Sequence, residues 1–253
     1  EGKAYSGRIN PVSIGRRKDF WNRLTMAYHD LLIQQVLDDT KRQKKTSAGA
    51  LIERFFSDFQ ELNSSLMSAD PVSFPGSIES ALKKDITPCG VITGIGTIRI
   101  GEREQQVGAL VSNLDFQAGA FDMASAEKFC KLMVECAKLH LPIVCFVSSG
   151  GMQTKEGAAA LFSMAVTNDR ITRFVRDNEL PLVVFGFGDC TGGAQASFVT
   201  HPLAQTYYFS GTNMPFAGQI VVPSYLPSTC TLSNYLSVSP KSMDGLVRHP
   251  FFD

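Results

Sequence analysis

The 253-residue chain has no surplus of either charge: 24 Lys and Arg balance 24 Asp and Glu. A nucleic-acid binder normally carries a basic excess, so neutrality argues against such a partner. No apolar run approaches membrane-spanning length and no signal-peptide core opens the chain, so no membrane association is expected and a cytoplasmic location is. A start at Glu1 is compatible with removal of an organellar leader or an upstream domain. The six cysteines (Cys89, Cys130, Cys136, Cys145, Cys190 and Cys230) include no pair at the spacing of a metal knuckle. Structural zinc is therefore not expected. Cys145 lies in an apolar run and Cys130 and Cys136 on a helical stretch, which reads as a reducing compartment.

Chemical motifs are sparse as well. There is no G-x-S-x-G elbow and no G-x-x-x-x-G-K-[ST] loop, and Gly94-Ile95-Gly96 lies within a strand pattern rather than ahead of a helix. A nucleotide fold is unsupported.

What remains is 44% apolar residues and 21 glycines, ordinary for an α/β domain able to bury a sizeable core. Phe20, Leu24, Tyr28, Leu31, Leu32 and Val36 predict an amphipathic helix over residues 16–40, followed by a solvated basic linker, Lys41-Arg42-Gln43-Lys44-Lys45. The pattern then predicts a short helix Ala48 to Phe59, a loop Asn63 to Pro75, and a hairpin of 91–100 with 107–112 around Gly101-Glu102-Arg103-Glu104. Helix 123–138, strand 142–148, helix 157–177, strand 181–187, helix 193–200 and strand 204–209 follow. Alternating strands and helices predict a sheet buried on both faces.

Two of these strands end in glycine pairs at helix starts: Ser149-Gly150-Gly151 and Thr191-Gly192-Gly193. Paired glycines let main chain approach a ligand, and unpaired amides at a helix start favour negative charge. An oxygen gaining charge could be held there. The bland alternative, close helix-sheet packing, explains either pair singly but not both together as well.

Side-chain chemistry is less well supported. Ser148 and Ser149 with His201 and Asp189 can be drawn as a serine hydrolase, yet Ser-Ser before Gly-Gly is equally a cap and a tight turn. His201 before Pro202 suits a helix end. Asp115, Asp122, Glu156, Asp169 and Asp189 form no pair at a fixed separation, and Glu156 near a helix start suits the dipole without any catalytic duty.

Several stretches resemble one family in order. Ser149-Gly150-Gly151-Met152-Gln153-Thr154-Lys155-Glu156-Gly157 is similar to S-G-G-A-R-M-Q-E-G of the carboxyltransferase β subunit of bacterial acetyl-CoA carboxylase. Leu180-Pro181-Leu182 with Asp189 and Thr191-Gly192-Gly193-Ala194-Gln195-Ala196-Ser197-Phe198 resembles its L-P-Y…D-P-T-T-G-G-V-x-A-S-F. Phe216-Ala217-Gly218 resembles G-F-A-G, Asp70-Pro71-Val72-Ser73-Phe74 resembles D-P-L-x-F, and Ser239 to His249 resembles the closing K-G-A-I-D-M-I-V-H-R. Departures are specific: Met152-Gln153 replaces Ala-Arg, Gln219-Ile220 replaces Pro-Arg, and Phe116 to Asp122 keeps only Gly119 of F-x-G-G-S-x-G. No cysteine precedes Cys89, where the bacterial subunit carries a zinc ribbon.

The resemblance implies a crotonase-like fold of stacked ββα repeats over residues 46–253, with residues 1–45 as an N-terminal helical extension and linker. It implies transfer of a carboxyl group from carboxybiotin, borne by a biotin carboxyl carrier protein, to acetyl-CoA, with Gly150 and Gly151 as the catalytic hole. Gly119, Gly192, Gly193, Ala217 and Gly218 would contact the acyl-CoA substrate. It also implies a second, α-type carboxyltransferase half and a biotin carboxylase as partners. Two alternatives stay open: another crotonase-fold acyl-CoA enzyme, a hydratase or decarboxylase, and a non-catalytic assembly subunit.

Overall fold

The computed structural model describes residues 47–68, 75–209, 212, 214 and 247–248. The expected 16–40 helix, the Asp70 to Phe74 stretch, Ala217 and Gly218 in their segment, and most of Ser239 to His249 lie outside the described residues.

Seven strands form one sheet in sequence order. They are β1 (Ser57–Leu62), β2 (Val91–Ile100), β3 (Arg103–Ser112), β4 (Ile143–Ser149), β5 (Leu182–Cys190), β6 (Gln205–Tyr208) and β7 (Val247–Arg248). β2 pairs antiparallel with both β1 and β3, β3 to β6 run parallel, and β7 returns antiparallel on β6. The helices are α1 (Ala48–Phe55), α2 (Pro75–Leu82), α3 (Met123–Leu139), α4 (Ala158–Asn178) and α5 (Gly192–Ala194), the last continuing into a π turn over Gln195–Val199. This is the crotonase-like arrangement expected, a hairpin and helix followed by strand-helix units.

Period-two alternation assigns each strand residue to one of two cores. Ile143, Cys145, Val147, Leu182 and Val184 face α3 and α4 in a core with Phe129, Leu132, Met164 and Ile171. Val144, Phe146, Val183 and Phe185 face the other way, onto α1. There the strand register places aromatics side by side: Phe146 opposite Phe185, and Phe185 opposite Tyr207. The rings stack at 4.7 Å for Phe55 on Phe146, 5.5 Å for Phe146 on Phe185 and 5.9 Å for Phe185 on Tyr207. Such pairs add about 0.5–1.5 kcal/mol each beyond area burial.

Element ends follow local chemistry. Ser47 caps α1 by accepting from Ala50 N at 3.2 Å, and Asp122 caps α3 by accepting from Ser125 N at 2.6 Å. His140 ends α3 in the left-handed region at φ 53°. Two expectations are corrected. The first short helix stops at Phe55 and residues 57–62 form the edge strand β1, because Ser57 and Thr97 open an antiparallel pairing that a helix through Phe59 would forbid. The hairpin turn is only Gly101 and Glu102, so Arg103 and Glu104 belong to β3.

A buried cation ties β1 to α3. Lys128 is fully buried, with Glu61 Oε1 at 3.5 Å and no hydrogen-bond acceptor for its Nζ. Removing the countercharge while keeping the cation costs more than removing the cation itself. Glu61→Ala should therefore lower stability by about 1–3 kcal/mol, whereas Lys128→Met should be neutral or stabilising. Urea melts of both variants check this.

Candidate active site

The parallel strands β3, β4 and β5 are neighbours, so the loops leaving their C-terminal ends converge, the place where open α/β sheets bind ligands. These loops are residues 117–119, 150–157 and 191–193.

Ser149 joins all three. Its hydroxyl donates to the Gly119 carbonyl at 2.7 Å and accepts from Gly151 N at 3.1 Å. Its own carbonyl accepts from Thr191 N at 3.0 Å. Gly150 N then donates to Ala118 O at 3.0 Å, and Phe121 N to Gly151 O at 2.8 Å. Across from Ser148, β5 bulges through Phe187, Gly188 and Asp189 before Cys190 regains register opposite Ser149. Gly188 sits at φ 59°, where a Cβ would stand 2.9 Å from Ser148 Oγ.

The backbone is held in uncommon shapes here. Gln117, Ala118 and Gly119 follow one another in the left-handed region at φ 48°, 52° and 65°. For Gln117 and Ala118 that costs roughly 1–2 kcal/mol each, and such strain clusters at functional sites. Gly151 has φ 106°, open only to glycine.

The two glycine pairs meet. A Cβ on Gly151 would lie 3.5 Å from Thr191 O and 3.7 Å from Gly193 N, and one on Gly193 would strike Met164 Cε at 2.8 Å. Their amides differ, however, and this corrects the expectation that Gly150 and Gly151 stand open: both are already donating, to Ala118 O and Ser149 Oγ. Gly119 N is likewise engaged, with Phe116 O at 3.0 Å. Of the four amides in the two glycine pairs, those of Gly192 and Gly193 have no acceptor among the described residues, and both glycines are half-buried. Two further buried polar atoms lack partners, Gln153 Nε2 and Gln195 Oε1, each two residues past a glycine pair.

Among the described residues neither Ser148 nor Ser149 is paired with a side-chain base: Ser148 Oγ meets the Asp189 backbone and Ser149 Oγ the Gly119 and Gly151 backbone. His201 is 7% exposed, accepts at Nδ1 from Leu203 N at 3.2 Å and meets Thr172 Oγ1 through Nε2 at 3.2 Å, remote from Ser149 in partners. Burial pushes the Cys190 thiol up to about 12, so it is no thiolate at neutral pH. Glu156 Oε2 accepts from Met123 N at 2.7 Å, capping α3 rather than its own helix. Asp122 is buried as the cap of the same helix and also accepts from Ser68 Oγ. Asp169 is paired with Arg173 at 2.8 Å. Among the described residues no cluster of three or more His, Cys, Asp or Glu is placed to hold a metal. Sequence reading missed the roles of Ser149 and Glu156, because each partner is some thirty residues away and only the sheet brings it near.

The carboxyl transferase domain model matches residues 59–222, more than half of the chain. The chain belongs to the carboxyl transferase domain family. The acetyl-coenzyme A carboxylase carboxyl transferase subunit beta of Alkaliphilus oremlandii is 31% identical over 173 residues, covering 66% of this chain and 59% of the relative. That of Clostridium kluyveri is 30% identical over 201 residues, covering 77% and 64%. The chain thus spans about three fifths of the length of these curated relatives. Transcarboxylase 12S shares the fold at TM-score 0.54 and 20% identity, over 88% of this chain and 39% of that one. The geranyl-CoA carboxylase β subunit of P. aeruginosa does so at TM-score 0.52 and 18% identity, over 90% and 41%.

Two outcomes test the site as drawn. A fluorophosphonate should label neither Ser148 nor Ser149, since neither hydroxyl faces a base; stoichiometric labelling would overturn the assignment. His201 titrates below its ordinary 6.5 because burial disfavours its charged form. The unfolded chain then binds the proton more readily, so the stability His201 contributes is present above pH 6.5 and is lost as pH falls below it. Melting temperature followed down through that range should fall, and less steeply in His201→Gln.

Proposed function

We propose that the chain is the carboxyltransferase half of a biotin-dependent acyl-CoA carboxylase, moving a carboxyl group from carboxybiotin to acetyl-CoA to give malonyl-CoA. One observation carries this reading: the Gly192 and Gly193 amides, without acceptors, belong to the turn that meets Gly151 at the converging strand ends, and neither Ser148 nor Ser149 is paired there with a side-chain base. Carboxyl transfer to an α-carbon asks for that arrangement, because the protein must hold enolate charge rather than form a bond. Carboxybiotin, when bound, supplies the carboxyl carbon and a ureido nitrogen able to take the α-proton.

The chain's own part is electrostatic. The Gly192 and Gly193 amides stabilise an oxygen as charge develops, and fixed geometry through Ser149 means they need no reorganisation. Gly150 and Gly151 shape the opposite wall, with Gly151 keeping that wall clear of a side chain. Gln153 Nε2 and Gln195 Oε1 offer polar atoms that a bound ligand or water would satisfy. Gly119, Ala217 and Gly218 complete the acyl-CoA contacts in this reading, and an α-type half, a biotin carboxylase and a carrier protein supply the rest of the reaction in the cytoplasm.

An ester in place of the Gly192–Gly193 amide (glycolic acid at position 193) removes one donor without adding the Cβ that would strike Met164 Cε at 2.8 Å. With the partner half and carboxylated carrier, wild type should form malonyl-CoA, and the variant should lose about 10²–10³-fold in kcat at unchanged circular dichroism. Turnover of an acyl-CoA without biotin would favour a hydratase or decarboxylase. Assembly without any turnover would favour a non-catalytic subunit.

A further inference from the structure

The ladder between β4 and β5 comes apart just before the site. Pairing is regular from Ile143 opposite Leu182 to Val147 opposite Gly186, and it resumes only with Ser149 opposite Cys190. One residue of β4, Ser148, therefore faces three of β5: Phe187, Gly188 and Asp189. A bulge of that size strands main-chain groups that a regular rung would pair. On the other side the pairing of β4 with β3 has also run out, its last partners being Val111 and Phe146.

Side chains stand in for the lost rungs. Ser148 Oγ accepts from Asp189 N and donates to Asp189 O, both at 3.3 Å, so one hydroxyl meets both main-chain groups of the last residue in the bulge. Ser148 N in turn donates to Ser112 Oγ at 3.1 Å, which anchors it to the end of β3. Ser112 and Ser148 are buried, whereas Gly188 and Asp189 are exposed. With φ 59° and no Cβ, which would stand 2.9 Å from Ser148 Oγ, Gly188 leaves that hydroxyl its room. Beyond the bulge, Cys190 Sγ reaches Val147 O at 3.3 Å and Thr191 N reaches Ser149 O at 3.0 Å. Asp189, Cys190 and Thr191, the residues that lead into Gly192, are thus tied in turn to Ser148, Val147 and Ser149.

We propose that Ser148 is a positioning residue: its hydroxyl fixes where the β5 bulge ends, and so where the Gly192 and Gly193 amides stand. Water reaches Asp189 and can replace both bonds if the hydroxyl is removed, so their loss costs little stability. What water cannot supply is a fixed position, and donors preset for a developing charge depend on one. The consequence for turnover rests on the function proposed above; the consequence for geometry does not.

The test is made on the full chain. In Ser148→Ala the amide resonances of Gly192 and Gly193, distant in sequence, should shift or double while the melting temperature stays close to wild type. Unmoved resonances at both glycines overturn the proposal. A lowered melting temperature with shifts spread evenly over β4 and β5 also overturns it, since Ser148 would then be a packing residue. An ester in place of the Gly188–Asp189 amide removes the N–H that donates to Ser148 Oγ; in the Ser148→Ala background it should add no further change, and additive effects overturn the clasp. With the partner half and carboxylated carrier, Ser148→Ala should lose at least about tenfold in kcat. KM for acetyl-CoA should be nearly unchanged, and a loss carried by KM instead overturns the proposal. The expected shifts in a chain whose wild type forms no malonyl-CoA would contradict the proposed function and leave the clasp standing. An active complex in which Ser148→Ala keeps the wild-type kcat would do the reverse.

Discussion

Ser149 closes β4 at the point where three loops must be held together, and its hydroxyl and carbonyl do the holding. The hydroxyl bridges Gly119 O and Gly151 N, and the carbonyl takes Thr191 N. Each bond is an ordinary one, worth about 0.5–1.5 kcal/mol net. Their effect is geometric: they commit the Gly151 amide to structure, as Ala118 O commits that of Gly150, while the amides of Gly192 and Gly193 keep no acceptor. The site proposed to rest on main-chain donors takes its precision from such a node.

The sheet makes the node possible. Parallel pairing of β3, β4 and β5 brings their ends level, and the stack of Phe55, Phe146, Phe185 and Tyr207 locks the register from one face. Shifting any of these strands by one residue would exchange its two core faces. The three-residue bulge in β5 then carries the second glycine pair past Ser148 to meet the first. Strain in Gln117 and Ala118 is sustained because Ala118 O and Gly119 O are both tied down to β4's end.

Much of this was legible in the sequence, and the reasons differ by element. Runs such as Ile143 to Val147 and Leu182 to Phe185 are apolar throughout, which only a strand buried on both faces can use, so β4, β5 and the flanking helices fall within a few residues of expectation. The edge strand β1 was hidden because its pattern, Ser57 to Leu62, is mostly exposed and its partner Thr97 is forty residues distant. That both glycine pairs close strand ends was legible, since glycine pairs after strands are local signals. Which amides remain open was not: that depends on where Ala118 O and Ser149 Oγ come to rest, a tertiary fact no spacing encodes. Glu156 illustrates the same limit, for its sequence position suits its own helix while its carboxylate serves α3.

The central claim is that free amides of one glycine pair, not both, meet the ligand. Amide nitrogen and proton shifts of the full chain, followed during titration with an acetyl-CoA thioether analogue, test it most directly. The account predicts that Gly192 and Gly193 move as the analogue binds while Gly150, already bonded to Ala118 O, stays in place. Saturable shifts at Gly150 and Gly151 with none at Gly192 and Gly193 would contradict it.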